Sequence, residues 1–267
     1  REMVWDGDYS PWKPLCTLNG EKIDFPVSEV FSFWTPRLVP EENGFLMAWV
    51  DNQTESSDPL DEIAVRVHRY QGGWTEVMPP IPGIFPMNPD VIQADDHLVL
   101  AYEGSLNQEN GRYNRSIYIT PQEGDQWGRT KTLERRDLDY ERLWLPRLYW
   151  EPGHLVVAFL ASNPDQTDVL WMESADNGHS WEEIHKVNSA ASALPNVPLI
   201  WLGNQLYWAE QGAEEAQICH ISIGETAASC QGAGSLRVDR IYGSADAVQV
   251  GVDLGVGQWA RKLLEPG

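Results

Sequence analysis

Lysine is rare in this chain. Only five of its 19 basic residues are Lys, against 40 Asp and Glu, and the formal charge over 267 residues is −21. A field of that sign repels nucleic acid and anionic membrane. It serves solubility or a salty medium, or else it draws cations or a basic partner. No apolar run reaches the roughly 18–20 residues of a membrane-spanning helix, and no segment carries a 3.6-residue apolar period, so helix content is expected to be low. A Gly-rich phosphate loop, a nucleophile elbow and His-Glu-x-x-His are all missing. The six His are scattered, with His97 and His154 in turns, and suggest neither a metal cluster nor a catalytic dyad. No signal peptide is visible, but the chain starts abruptly at Arg1-Glu2-Met3, as a mature or trimmed chain would.

Cysteine is also scarce. Cys16, Cys219 and Cys230 match no zinc-site spacing. The last two flank "HISIGETAAS", a hairpin pattern whose cross-strand neighbours can meet disulfide geometry. They are either bridged, which implies an oxidising compartment, or two buried thiols.

Tryptophan, by contrast, is abundant at 13 copies, as expected where large packing residues recur at fixed structural places. The recurrence is visible as a repeat. "PRLVPEENGFLMAW" runs from Pro36 to Trp49 and places Ala48 twelve residues after its Pro. "PDVIQADDHLVLAY" from Pro89 and "PRLYWEPGHLVVAF" from Pro146 keep the same count to Ala101 and Ala158. "PLIWLGNQLYWAE" from Pro198 is one residue shorter, and "DAVQVGVDLGVGQWAR" (246–261) is a weaker fifth copy. Starts are spaced by 53, 57, 52 and about 50 residues.

Each unit reads as four strands. An apolar run, a turn and a second run such as "FLMAWV" or "LVVAFL" are followed by a third run after a polar loop ("IAVRVHRY", "SIYIT", "VLWME", "QICHISI"). A tight turn then leads to a fourth run ("TEVMPP", "GRTKTL", "EEIHKV"). Four strands in about 50 residues is the arithmetic of a β-propeller blade. The expected fold is all-β: one domain over residues 1–267, a five-bladed propeller with blades starting near 30, 83, 140, 192 and 243. The fifth unit reaches only its second strand, and residues 2–18 read as the strands that complete it and close the ring. Closure removes exposed sheet edges.

"SADNGHSW", Ser174 to Trp181, resembles the Asp-box of the sialidase and BNR-repeat propellers at every defined position: Ser174, Asp176, Gly178, Ser180 and Trp181. "TPQEGDQW" and "HRYQGGW" are degraded copies. The Asp can accept backbone hydrogen bonds inside the turn, and the Gly supplies positive φ. In that family the Asp-box is structural and lies opposite the active site, so Asp176 is expected to form a turn. The resemblance also implies an arginine triad with a Tyr–Glu pair. Here Arg37 and Arg147 match in strand position, Arg142 falls in a loop, and no Tyr–Glu pair stands out. "NPDVIQADDHLVLAYE" is similar to the five-bladed arabinanase-type furanosidases, which place carboxylates around a central pocket. Paired acids roughly 5–9.5 Å apart do such chemistry, and Asp90 with Glu103 or Glu210 are the candidates. The equivalents of Asp90 in other units, however, are Arg37, Arg147 and Leu199.

The starts of first strands and ends of second strands share one face. It gathers Trp34, Arg37, Asn88, Asp90, Trp144, Arg147, Asn196 and Asp246, with Asp51, Glu103, Asn163 and Glu210. Aromatic platforms with a few polar groups make a ligand site. The same residues also fit inter-blade packing, with the arginines paired to Asp90. The acidic loop 51–62 is either solvated or a Ca²⁺ site; no other cofactor or metal is expected. The expected molecule is an exported monomer, in the medium, periplasm or cell surface, that recognises a glycan or similar polar ligand at the channel mouth. A glycoside hydrolase and a protein-interaction scaffold are the alternatives, because propellers host all three.

Overall fold

The computed structural model describes residues 2–4, 15–18, 21–23, 32–41, 43–52, 63–82, 84–109, 112–188, 191–195, 197–212, 216–232, 236–244, 247–254 and 259–264. Among the described residues there is no α-helix, only one 3-10 turn at Arg135–Asp137. The strands are β1 Glu2–Val4, β2 Leu15–Leu18, β3 Glu21–Ile23, β4 Ser32–Glu41, β5 Gly44–Asn52, β6 Ile63–Tyr70, β7 Trp74–Pro82, β8 Ile84–Ala94, β9 His97–Glu109, β10 Arg112–Glu123, β11 Gln126–Trp127 and β12 Lys131–Leu133. They continue with β13 Arg142–Glu151, β14 His154–Asn163, β15 Gln166–Ser174, β16 His185–Lys186, β17 Ile200–Leu202, β18 Gln205–Gln211, β19 Ala216–Ser222, β20 Ser229–Gly232, β21 Leu236–Ser244, β22 Ala247–Leu254 and β23 Trp259–Leu264.

These strands form successive antiparallel sheets. Sheet I is β4–β7, sheet II is β8–β10 with β11 and β12 both pairing β10, sheet III is β13–β16, and sheet IV is β17–β20. The register reproduces the repeat: Arg37 pairs with Ala48, Asp90 with Ala101 and Arg147 with Ala158. At the ends, two expectations are corrected. The last sheet begins at Leu236 rather than 243 and has three strands rather than two. Its first strand, "LRVDRIYGS", carries Arg237, Asp239 and Arg240, which interrupt the apolar run that marks the other units. At the N-terminus, β1 and β2 do pair, but their third strand is β3, and β1–β3 and β21–β23 are separate sheets.

Alternation along each second strand explains how the sheets stack. Successive side chains point to opposite faces, so a strand that is apolar throughout buries both. In β9, Leu98, Leu100 and Tyr102 pack with Leu46, Ala48 and Val50 of sheet I, while Val99 and Ala101 pack with Leu155, Val157 and Phe159 of sheet III. In β14, Val156, Ala158 and Leu160 turn the other way, to Leu206 and Trp208 of sheet IV. Full burial of a side chain such as Phe159 contributes about 1.5–3 kcal/mol. The tryptophans tie neighbours together. Trp127 of sheet II donates its indole N–H to Pro79 O of sheet I at 2.8 Å, and Trp201 of sheet IV donates to Arg147 O of sheet III at 3.3 Å.

Candidate functional site

The inner strands β4, β8 and β13 carry the site, and their prolines shape it. Proline has no N–H to give a ladder. The β13–β14 register breaks between Trp144 and Arg147, around Pro146; β4–β5 breaks between Phe33 and Arg37, around Pro36; β8–β9 breaks on both sides of Met87. Asn88 (φ 46°) and Leu145 (φ 50°), each directly before a proline, are left-handed, a conformation that costs a non-glycine residue about 1–2 kcal/mol.

An inner strand pairs on one side only, so its other edge presents amides that need acceptors. Two carboxylates of sheet II supply them to β13. Asp90, 1% exposed, accepts the Leu148 amide at 2.8 Å on Oδ2 and Arg37 Nε at 2.8 Å on Oδ1. Glu103, fully buried, accepts the Leu145 amide at 2.9 Å and the Asn88 side-chain amide on Oε1, and Arg115 Nη1 at 3.1 Å on Oε2. The strained Asn88 and Leu145 are therefore held by one carboxylate. Asn88 is a positioning residue here, with its amide turned to Glu103.

Four arginines gather around these two acids. Arg37 keeps 43% of its side chain exposed. Arg147 donates Nη1 to Pro146 O at 2.8 Å. Its burial pulls the guanidinium below its ordinary pKa, opposed by Asp90, reinforced by Arg37 and opposed again by Glu103. Arg142 lies over the Trp144 ring at 4.5 Å. Burial lowers its pKa too, with Glu103 opposing and Arg115 reinforcing. Four cations against two anions leave a local positive excess in a chain of net charge −21. Arg115 is the member that sequence reasoning missed. Its signal was a single charge at the start of the apolar run "SIYIT". Arg142, expected in a loop, is the first residue of β13, paired with Ser162.

The remaining candidates fall elsewhere. Trp144 is 9% exposed, donates to Ser162 Oγ at 3.0 Å and packs in the core between sheets III and IV, so it is a packing residue rather than an open stacking platform. Glu210, 1% exposed, accepts Trp208 Nε1 at 2.8 Å inside sheet IV and is not joined to Asp90 or Glu103 by any described contact. Asn163 braces the turn before β13 through Glu141 N and Asp139 O. The side chains of Cys16, Trp34 and Asp51, residues Asn196 and Asp246, and most of loop 51–62 lie outside the described residues. Cys219 and Cys230 are directly paired across β19 and β20 and are bonded, S–S 2.05 Å.

The segment Ser174 to Trp181 closes on itself. Asp176 accepts Ser180 N at 2.7 Å, Ser180 Oγ at 2.6 Å and Ser174 Oγ at 2.8 Å, and these bonds, the Ser180 hydroxyl foremost, hold its carboxyl below the usual range. Gly178 has φ 97°, and Trp181 donates to Gly178 O at 3.1 Å. The turn also docks on sheet II. Asn177 donates to Asp95 Oδ2 at 2.6 Å and its carbonyl meets His97 Nε2 at 2.9 Å, both across to sheet II, while its side-chain oxygen accepts Trp150 Nε1 at 3.1 Å within sheet III.

No protein-family model matches the chain, and no curated protein matches it in sequence. Solved structures do. The chain is similar to the sialidase of Trypanosoma rangeli, at 13% identity and a TM-score of 0.50, over 85% of this chain and 41% of that one. It is also similar to the endo-arabinase of Bacteroides thetaiotaomicron (8% identity, TM-score 0.48, 89% and 95% covered). A third is the β-fructofuranosidase of Bombyx mori (15%, 0.45, 79% and 52%). The chain thus spans about half the length of the fructofuranosidase and less of the sialidase. The likeness to the sialidase is one of fold.

Proposed function

We propose that this chain is an exported propeller that binds a glycan, or a similar polar ligand, through an anionic group at the rim where β4, β8 and β13 meet. One observation carries the reading. Arg37 spends only Nε on Asp90 and Arg147 only Nη1 on a carbonyl, and Arg142 makes a ring contact. Most of their N–H groups have no acceptor among the described residues, while the acids beneath them are buried. Guanidinium forks in that state match carboxylate or sulfate. The fold shared with a sialidase favours a sugar as the carrier of that group.

Titration calorimetry against neutral and acidic sugars tests this. Acidic ligands are expected to bind, neutral ones not, and Arg142→Ala to weaken binding about tenfold, in line with a hydrogen bond between charged groups. A panel without any binding by the wild type overturns the reading and leaves a protein-interaction scaffold, which the Arg37–Asp90 ion pair favours. Turnover of chromogenic glycosides that disappears in Asp90→Asn would instead establish a hydrolase. Burial of Asp90 and Glu103 weighs against that chemistry, since an acid/base pair must reach the scissile bond.

We further propose a single five-bladed ring in which the two separate three-stranded terminal sheets, β1–β3 and β21–β23, lie together at the closure in the place of one blade. What supports closure is sheet I: Met47 and Trp49 point away from sheet II yet are fully buried. The Cys219–Cys230 bond supports an oxidising, exported setting, and a monomer suits a ring without free edges.

A further inference from the structure

The four arginines of the rim sort into two pairs, each with its own acid. Arg37 Nε lies 2.8 Å from Asp90 Oδ1, and the foremost charged neighbours of Arg147 are Asp90 and Arg37, with Glu103 after them. Arg115 Nη1 lies 3.1 Å from Glu103 Oε2, and the charged neighbours of Arg142 are Glu103 and Arg115. Two cations against one anion give each half a charge of +1. The acids are anchored separately. Asp90 holds the Leu148 amide and Glu103 the Leu145 amide, three residues apart on β13. Asp90 also pairs with Ala101, two residues before Glu103 on β9. At about 3.3 Å per residue the two centres stand roughly 7–10 Å apart along the strands. Arg37 and Arg115 are each tied to their own acid, so an anion held by Arg37 and Arg147 leaves Arg115 and Arg142 unserved. Both halves open to solvent. Arg37 keeps 43% and Arg115 26% of its side chain exposed, Arg142 is exposed, and Arg147 is partly so.

We propose that the rim takes two anionic groups at once, one in each half, and that its ligand is an oligosaccharide with carboxylates or sulfates on at least two sugar residues. This rests on the reading of the rim as an anionic-glycan site and names the class of glycan. A ligand with one anion leaves the charge of the other half unbalanced. A second anion on the same ligand balances it and arrives at high effective concentration, so the gain exceeds that of a second free ion. The guanidinium forks suit either group, because both present paired oxygens. The chain's charge of −21 sets a limit on length. It repels a long polyanion within a screening length of about 8 Å at 0.15 M salt, which favours a short acidic segment over nucleic acid.

Titration calorimetry of the full chain at physiological salt tests this. The probes are galacturonate, digalacturonate and trigalacturonate, with a monosulfated and a multiply sulfated disaccharide. In at least one series the multiply acidic member is expected to bind at least tenfold more tightly than the singly acidic one. Extra copies of one group supply only about two- to threefold by statistics. Arg142→Ala should remove that gain, weakening the multiply acidic ligand about tenfold and the singly acidic one less than threefold, since the Arg37–Arg147 half is left intact. The tenfold loss in Arg142→Ala thus belongs to ligands with two acidic groups. Equal affinity of singly and multiply acidic ligands, or equal losses for both in Arg142→Ala, overturns the two-anion proposal and leaves a single-anion site standing. No binding by any acidic sugar overturns both. A short single-stranded oligonucleotide that binds as tightly as the acidic oligosaccharides overturns the assignment to a glycan.

Discussion

The carboxylate of Asp90 accepts the backbone amide of Leu148 across the boundary between sheets II and III, at 2.8 Å. With Arg37 on its other oxygen, one buried side chain joins the inner strands of three consecutive sheets. Removing it leaves an amide and a guanidinium without their acceptor. Arg37, 43% exposed, can be rehydrated, so Asp90→Ala is expected to cost about 1–3 kcal/mol, the range for leaving a buried amide without its acceptor. Asp90→Asn keeps an acceptor for Leu148 and should cost less. Urea denaturation with an unchanged m-value decides this. A loss under 1 kcal/mol in the Ala variant would show that Asp90 is not a structural tie.

That relationship was only half legible in the sequence. Pro36, Pro89 and Pro146 with their Ala partners set the register, because a residue that cannot donate to the ladder must sit at a bulge or an edge. The equivalence of Arg37, Asp90 and Arg147 followed from it. Their different fates did not. Arg37 reaches Asp90, whereas Arg147 turns back to its own Pro146 carbonyl, and the choice depends on the bulge geometry at Leu145. Glu103, Asn88, Arg115 and Leu145 meet from four strands and two sheets, a coincidence that no local pattern encodes. The first strand of the last sheet was overlooked for the opposite reason, since Arg237, Asp239 and Arg240 interrupt its apolar run.

Asn177 gives the second prediction. It makes two side-chain bonds to groups outside its own turn, Asp95 and Trp150, and Asp176 makes three inside it. Asn177→Ala should loosen the docking of sheet III on sheet II, and Asp176→Ala should loosen the turn itself. Each is expected to lose about 1–2 kcal/mol. Hydrogen exchange separates them. Asp176→Ala should expose the Ser180 amide locally, while Asn177→Ala should raise exchange in the β8–β9 turn. The same exchange pattern in both variants would contradict separate roles.

Acid should act through Asp168. Burial pushes its pKa up, but hydrogen bonds from Tyr140, Lys186 and Asn188 outweigh it, and the carboxyl is held below its ordinary 3.8. Tyr140 Oη lies 2.7 Å from Oδ2 and Lys186 Nζ 2.9 Å from Oδ1. A folded pKa below the unfolded one contributes stability that is full above 3.8 and is lost as pH falls through the folded value. Asp168→Asn should therefore be less stable than wild type at neutral pH, by about 1–3 kcal/mol for hydrogen bonds to a charged group. The gap should close below pH 3.8. Equal gaps at both ends of a pH series of thermal melts would rule this out.

Ligand binding at the rim should fall with salt and should weigh the arginines unequally. Arg147 is more buried than Arg37 and Arg142, so its charge is less screened by water and ions. Arg147→Ala is expected to weaken an acidic ligand about 10- to 100-fold, as loss of a partly desolvated charged hydrogen bond does. Arg142→Ala should cost about tenfold. Raising ionic strength from about 0.01 to 0.15 M shortens the screening length from about 30 to 8 Å. The Arg142 contribution should shrink over that range more than the Arg147 contribution. Arg147→Lys should not restore binding fully, because an ammonium lacks the planar fork. Titrations of the three variants at two salt concentrations check all of this. Equal, salt-independent losses in Arg142→Ala and Arg147→Ala would point to a folding defect rather than to an anion at the rim.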